Sequence, residues 1–415
     1  MDPVIETPGR NMLQTLSSSL RERELAQTLQ IAIPFAKRLG VSRVTDITRL
    51  DRIGIPVFAS IRPTAAPGSL CVHAGKGLSE LEAQVGATME AIEFAMAEVD
   101  CSRVAFTVST IRELEESFGS RFDLVDLCPL YGRSFHQADR IAAVNAAVCH
   151  TGRPILLPAE LVFMPTFDLP SAGLFSGSTN GLCSGNTIIE ARIHGVLELM
   201  ERDTLSMNYV HDESCFVVMD GAVSDDLNEA LRLIDDAGLE VTIRYTKSPF
   251  DFPYFEAYIC EPDDDAPVAI ASGFGLHPVR RIALVRAITE AAQGRLSHIH
   301  GGRDDIIRRH RLRERRGIDN DRVAVRQFIK RITDISRKIQ YQEISDFGQF
   351  ESLDDVWSLI QRKLDNVGAG PVLQVVFTSK SDPIQVLKMI IPKLEHFEAD
   401  HQRVGRRLME RFRDG

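Results

Sequence analysis

Three stretches of this 415-residue chain repeat one pattern: small residues, then glutamates at fixed intervals. The first copy is Gly75-Lys76-Gly77, Glu82-Ala83, Glu90 and Glu93. Adding 108 to each number gives the second copy, in which Gly185, Glu190-Ala191, Glu198 and Glu201 repeat the first. Adding 200 gives a weaker third copy, with Gly275, Ala283, Glu290 and Gln293. A chain built this way must place several carboxylates on comparable faces of separate helices.

Helix geometry sharpens the point. At 3.6 residues per turn, Glu190, His194, Glu198 and Glu201 fall within an arc of about 80°. Ile193, Val196, Leu197 and Met200 lie between them, so part of this helix is expected to be buried. A buried acidic stripe is costly unless cations neutralise it. Oxygen ligands from separate helices suit a hard cation such as Mg²⁺. Ser176 to Thr187 is small and polar and leads into the second helix. Such a loop is expected to offer backbone N–H groups and a helix N-terminus to an anion, with Lys76 at the equivalent place in the first copy. Phosphate plus carboxylate-held Mg²⁺ means a nucleotide. The chain holds neither the GxxxxGK[ST] phosphate loop nor a GxGxxG dinucleotide fingerprint. His194 reads as a packed helix histidine and Cys183 as a small loop residue.

Composition narrows the classes. Hydrophobic residues make up 44% and charged residues 26%, ordinary values for a globular chain. The net charge of −10 argues against a nucleic-acid partner. No stretch approaches the length of a membrane helix, and the N-terminus has no secretory pattern, so a cytoplasmic protein is expected. The seven cysteines are scattered without a CxxC, which disfavours a disulfide framework or a zinc site.

Strand-like and helix-like runs alternate, which predicts a mixed α/β or α+β class in one interwoven unit. Residues 14–38 read as a helix or helix pair, with Pro34 as a break, and 152–185 as an ordered loop region. Long helices are expected over 79–99, 187–210 and 279–298. Residues 301–340 carry 13 Lys/Arg against 6 Asp/Glu. This segment is either a solvated helical face or a docking patch for an acidic partner.

Ser178-Thr179-Asn180-Gly181-Leu182 through Gly185-Asn186-Thr187, Glu190-Ala191, Gly195 and Glu198-Leu199-Met200-Glu201-Arg202-Asp203 closely resembles the YcaO signature. Arg43 to Val57, Glu90-Ala91-Ile92-Glu93, Arg286 to Gln293, Arg303-Asp304-Asp305 and Pro383 to Glu395 agree in order. The resemblance implies a YcaO fold over residues 40–405, preceded by a helical segment (1–39) and followed by a short tail (406–415). It implies an ATP- and Mg²⁺-dependent enzyme that O-phosphorylates a peptide backbone amide after a nucleophile attacks the carbonyl carbon. By residue match, Glu90, Glu93, Glu198, Glu201 and Glu290 would hold Mg²⁺. Lys76, Asn186, Glu190, Arg202, Arg286 and Gln293 would contact the nucleotide.

The nucleophile divides the family's reactions. Sulfide gives a thioamide, a substrate side chain gives an azoline, and water gives ATP-dependent amide hydrolysis. The resemblance favours thioamide formation in a ribosomally made peptide or protein. The tail lacks the proline-rich motif of azoline-forming members, and no extra N-terminal peptide-binding domain is seen. A discrete protein working with a TfuA-like or peptide-recognition partner is therefore expected, and the resemblance is compatible with a homodimer. A non-catalytic YcaO-like scaffold that binds a peptide is the reading from a different class.

Overall fold

A computed structural model describes residues 13–414 apart from 168, 172, 222, 264, 265, 267, 303–316 and 398–401. Residues 303–316 of the basic segment, Arg303-Asp304-Asp305 among them, lie outside the described residues, and Ile318–Ile332 of it is helical.

Each copy of the repeat is a strand, a two- or three-residue turn and a long helix. Val72–Lys76 leads into the helix Glu80–Ala97. Leu182–Gly185 leads into Ile188–Val210. Ile270–Leu276 leads into Arg280–His300. Two of the helix starts follow from the sequence: Ser79 accepts the Glu82 N–H, and Thr187 accepts the Glu190 N–H. The third begins at Val279 without a side-chain cap.

The three strands belong to three sheets, and each is an edge strand. Arg43–Asp46, Val57–Ile61 and Val72–Lys76 form an antiparallel trio. Leu182–Gly185 ends a six-stranded sheet in which it pairs with Gln385–Ile390. Ile270–Leu276 ends a five-stranded sheet beside Pro253–Cys260. That sheet is antiparallel except where Cys215–Val218 meets Lys338–Gln340.

Small residues let each helix lie close against its own strand. A Cβ on Gly75 would overlap backbone atoms of Ala83 and Ala87. A Cβ on Gly275 would overlap the equivalent atoms of Ala283 and Ala287. In the second unit the sizes are exchanged: the strand carries Cys183, and the helix carries Gly195 against its sulfur. Interiors pack to crystal density, so one small partner per contact is needed.

Three apolar cores surround the units. One packs the first acid helix and Leu25–Arg38 on the six-stranded sheet. One packs the second acid helix with Leu353–Asn366. One packs the third acid helix with Asp225–Asp236 on the five-stranded sheet.

Three regions depart from the sequence expectation. Residues 14–21 are a hairpin, Gln14–Thr15 against Leu20–Arg21, because the serine-rich turn closes with Leu16 N–H on Ser19 C=O. The helix that follows, Leu25–Arg38, runs through Pro34. The expected loop 152–185 contains the strands Pro154–Pro158 and Leu182–Gly185, each held by a neighbouring strand. Residues 406–414, expected as a tail, are helical, and Arg407 binds Asp203 of the second acid helix at 2.6 Å.

Candidate active site

The three units close into a ring. The same register position in each helix reaches the strand of the next unit. Glu93, on the first helix, accepts the Ser184 hydroxyl of the second strand at 2.6 Å. Glu201, on the second, accepts the Leu276 N–H of the third strand at 3.1 Å. Gln293, on the third, donates to the Ala74 carbonyl of the first strand. Glu290, one turn back, receives Lys76 Nζ at 2.6 Å. Glu90 and Glu198 instead serve their own units, accepting Ala74 N–H and Gly181 N–H, each at 3.1 Å. Gly181 has φ +77°, and its backbone packs on Met389, so only glycine presents that N–H to Glu198 without strain.

Two arginines adjoin this ring. Arg202 and Arg286 approach Glu201 at 3.8 and 3.6 Å. Burial and the nearby Glu90 and Glu198 charges push Glu93 up to about 8, against the Ser184 hydrogen bond. Burial also raises Glu198, opposed by Arg202. Glu290 goes the other way: Lys76, Arg202 and Arg286 outweigh its burial and hold it low. Burial and the cations Arg21, Arg286 and Lys76 keep His194 neutral, well below the usual histidine range. His194 therefore neighbours the site without acting as a cation in it.

The first-turn acids are arranged differently. Glu190 accepts Asn186 N–H and Glu22 N–H at 2.7 Å each, and Asn186 Nδ2 at 3.0 Å. Asn186 Oδ1 is shared by Arg23 and Thr28. Glu82 accepts Leu78 N–H at 3.2 Å and Ser17 N–H at 3.0 Å. Each therefore bonds its own turn and clamps the N-terminal hairpin. At the helix starts the Leu78 and Asn186 amides are bonded by Glu82 and Glu190, and the Glu82 and Glu190 amides by the capping Ser79 and Thr187.

Comparison with known proteins decides the lineage. The family profile described as YcaO cyclodehydratase, ATP- and Mg²⁺-binding, matches residues 74–395. A protein of Methanothermobacter thermautotrophicus, of uncharacterised function, is 33% identical over 373 residues, 89% of this chain and 94% of its own. The chain belongs to the YcaO family.

An uncharacterised protein in the tfuA 3′ region of Rhizobium leguminosarum bv. trifolii is 28% identical over 390 residues, covering 89% of this chain and 87% of that one. The solved YcaO from Methanopyrus kandleri, bound with AMPPCP and Mg²⁺, superposes with a TM-score of 0.73 at 22% identity, covering 95% of this chain and 98% of its own. That likeness establishes the mixed α/β YcaO fold. ATP and Mg²⁺ are the cofactors of the YcaO domain.

The residues of this YcaO chain fit that pair. Glu201 Oε1 is buried with no hydrogen-bond partner, as is Arg286 Nε. Such orphaned buried atoms are the kind that a ligand satisfies. Among the described residues, no three His, Cys, Asp or Glu side chains already converge on one point. No described helix of the YcaO chain is long and apolar enough to cross a membrane.

Sequence reasoning missed three participants. Ser184 sits beside the recognised Gly185 and holds Glu93. Arg21 reaches Glu190 at 3.7 Å from the unpredicted hairpin. Lys388 is buried behind Glu198 and donates to the Ser178 carbonyl at 2.5 Å. Within the strand Gln385–Ile390 it is the one charged residue. That buried lysine was the available signal, because lysine is almost never fully buried without a partner.

Proposed function

We propose that this protein uses ATP to activate a peptide backbone amide and replaces the amide oxygen with sulfur. Hydrosulfide attacks the carbonyl carbon, the amide oxygen takes the γ-phosphoryl group, and that oxygen leaves in phosphate, giving thioamide, ADP and phosphate. The proton of hydrosulfide leaves with the phosphate. Bound Mg²⁺–ATP supplies the phosphoryl group and neutralises its charge.

The chain's residues supply the rest. Glu90, Glu93, Glu198, Glu201 and Glu290 are our assignment for holding Mg²⁺. Arg202, Arg286 and Lys76 are positioned for phosphate oxygens, where fixed guanidinium groups bind two oxygens at once. Gln293 holds the Ala74 edge. Glu190 and Asn186 act one step further out, by fixing the turn that leads into the second acid helix. A single observation carries this reading. The ring of acids is crowded enough to raise Glu93 and Glu198, and cations adjoin it that suit phosphate. Sulfide as nucleophile is supported by the relative named for its place 3′ of tfuA, since the family resemblance links TfuA-like partners to thioamides.

The test is mass spectrometry of a precursor peptide encoded beside this gene. It is incubated with the protein, a TfuA-like neighbour, ATP, Mg²⁺ and sulfide. A gain of about 16 Da per amide is the expected result of oxygen-to-sulfur exchange driven by phosphoryl transfer. A loss of about 18 Da means that a substrate side chain attacked, and ATP-dependent cleavage means that water did. Either replaces the sulfide reading, while formation of no ADP removes the enzyme reading.

A further inference from the structure

The amides that hold the ring acids are themselves held in different ways. Glu90 accepts Ala74 N–H, and Ala74 lies inside the strand Val72–Lys76, opposite Ala59. Glu201 accepts Leu276 N–H, and Leu276 lies inside the strand Ile270–Leu276, opposite Tyr254. Strand pairing fixes both. Glu198 accepts Gly181 N–H, and Gly181 stands one residue before the strand Leu182–Gly185 begins, with φ +77°. Its amide belongs to a turn and needs another means of support.

The strand Gln385–Ile390 supplies it. Met389 N–H donates to the Gly181 carbonyl at 2.7 Å. Lys388 Nζ donates to the Ser178 carbonyl at 2.5 Å. Between them, Leu182 N–H closes the turn on the Thr179 carbonyl at 2.7 Å. Two adjacent residues of one strand therefore grip both ends of the turn 178–181, and that turn aims Gly181 N–H at Glu198.

Lysine is a costly residue for this grip. Lys388 is 3% exposed, and Val386 and Ile390, on the same face of its strand, belong to the first apolar core. Its hydrogen-bond acceptor is a neutral carbonyl of the half-buried Ser178, which water can also serve. Burial drives Lys388 down to about 7, and Glu198 is the charge that most opposes the fall. An aliphatic side chain of similar length would fill this place without a charge to bury. The lysine therefore serves something other than stability, and both its hydrogen bond and its charge lead to Glu198.

We propose that Lys388 is a positioning residue that acts through Glu198, holding the turn 178–181 so that Gly181 N–H fixes this carboxylate for Mg²⁺. The inference rests on the assignment of Glu198 to Mg²⁺, and the test separates the two.

The test is a double-mutant cycle, read by isothermal titration of AMPPCP into the full chain with Mg²⁺ present. Lys388→Met should weaken binding about tenfold, as loss of one charged hydrogen bond implies. Glu198→Gln should weaken it at least as much. In that background Lys388→Met should add less than about twofold, because the lysine acts through the acid. The melting temperature of Lys388→Met should equal or exceed that of wild type, which a purely structural lysine would not allow. Lys388→Gln, which keeps a donor, should lose less affinity than Lys388→Met. Wild-type affinity in Lys388→Met, an equal loss in both backgrounds, or a lower melting temperature with affinity recovered on cooling overturns the proposal. Loss in Glu198→Gln but not in Lys388→Met rejects the lysine's role and leaves the Mg²⁺ assignment standing. Loss in Lys388→Met but not in Glu198→Gln removes that assignment, and this inference with it.

Discussion

The same residue does opposite work at the two ends of the first two acid helices. Glu82 and Glu190, in the first turns, are closed: each carboxylate is spent on backbone N–H groups of its own turn and of the N-terminal hairpin. Glu93, Glu198 and Glu201, two to three turns on, are open. Each has one donor, raised basicity or an orphaned oxygen, and a cation or a second acid close by. An acid whose lone pairs are filled by amides is part of the scaffold. An acid crowded with others, and given one partner, is held in readiness for a cation. The repeat copied both kinds together, so its two halves divide the labour.

The predictions follow from this division, beginning with the largest effect. Glu198→Gln and Glu201→Gln should each lower ATP turnover by about a hundredfold or more, as loss of a charged group in a preorganised site does. Their far-ultraviolet dichroism and melting temperature should stay near wild type. Turnover within about twofold in both would mean that the open acids do not bear on the chemistry.

Glu190→Ala should act on the other side of the division. It leaves two half-buried backbone donors, Glu22 N–H and Asn186 N–H, unmatched and should cost about 2 kcal/mol of stability, read from the urea midpoint. Restored turnover at low temperature, where the fold survives, would confirm that its role is positioning. Normal stability with lost nucleotide binding would move Glu190 to the open class.

Gly75→Ala tests whether the first and third units truly repeat each other. It should cost about 2 kcal/mol by pushing the strand from its helix, and Gly275→Ala should match it. A cost in one alone would break the equivalence.

A further effect is in pH. With Mg²⁺ removed by chelation, Glu93 holds its proton up to about 8 in the folded chain, against 4.5 for the ordinary group. The native state therefore binds more protons across that window. Stability should be fully present below about 4.5 and should fall as pH rises towards 8. One proton gives a slope of about 1.4 kcal/mol per pH unit. Glu93→Gln should flatten this part of the urea-midpoint profile; a wild-type profile that rises there would contradict the assignment.

How much of this was legible in the sequence varies by element. The long helices and the spacing of their acids were legible, because glutamates at 82, 90 and 93 and at 190, 198 and 201 share one register. The third copy looked weak since Gln293 replaces a glutamate, yet Gln293 keeps the ring contact with a backbone carbonyl instead of a hydroxyl or an amide. The strands before the first two acid helices were not legible. Val72–Lys76 and Leu182–Gly185 are short, small and glycine-bearing, and their hydrogen bonds come from residues distant in sequence. The distinction between closed and open acids was also hidden, because it depends on the hairpin at 14–21, whose register no local pattern announces. Lys388 escaped for a similar reason. Its surroundings are assembled from residues near 127, 180, 199 and 403.

If the open acids and their cations hold Mg²⁺ and ATP, nucleotide binding depends on both, and isothermal titration of AMPPCP into the full chain, with and without Mg²⁺, reads that dependence. Binding should require Mg²⁺ in the wild type and weaken at least about tenfold in both Glu201→Gln and Arg286→Ala, a loss of about 1.4 kcal/mol or more. It should be unchanged in Glu82→Gln once folding is confirmed. Equal affinity in all four proteins, or binding indifferent to Mg²⁺, would contradict the claim.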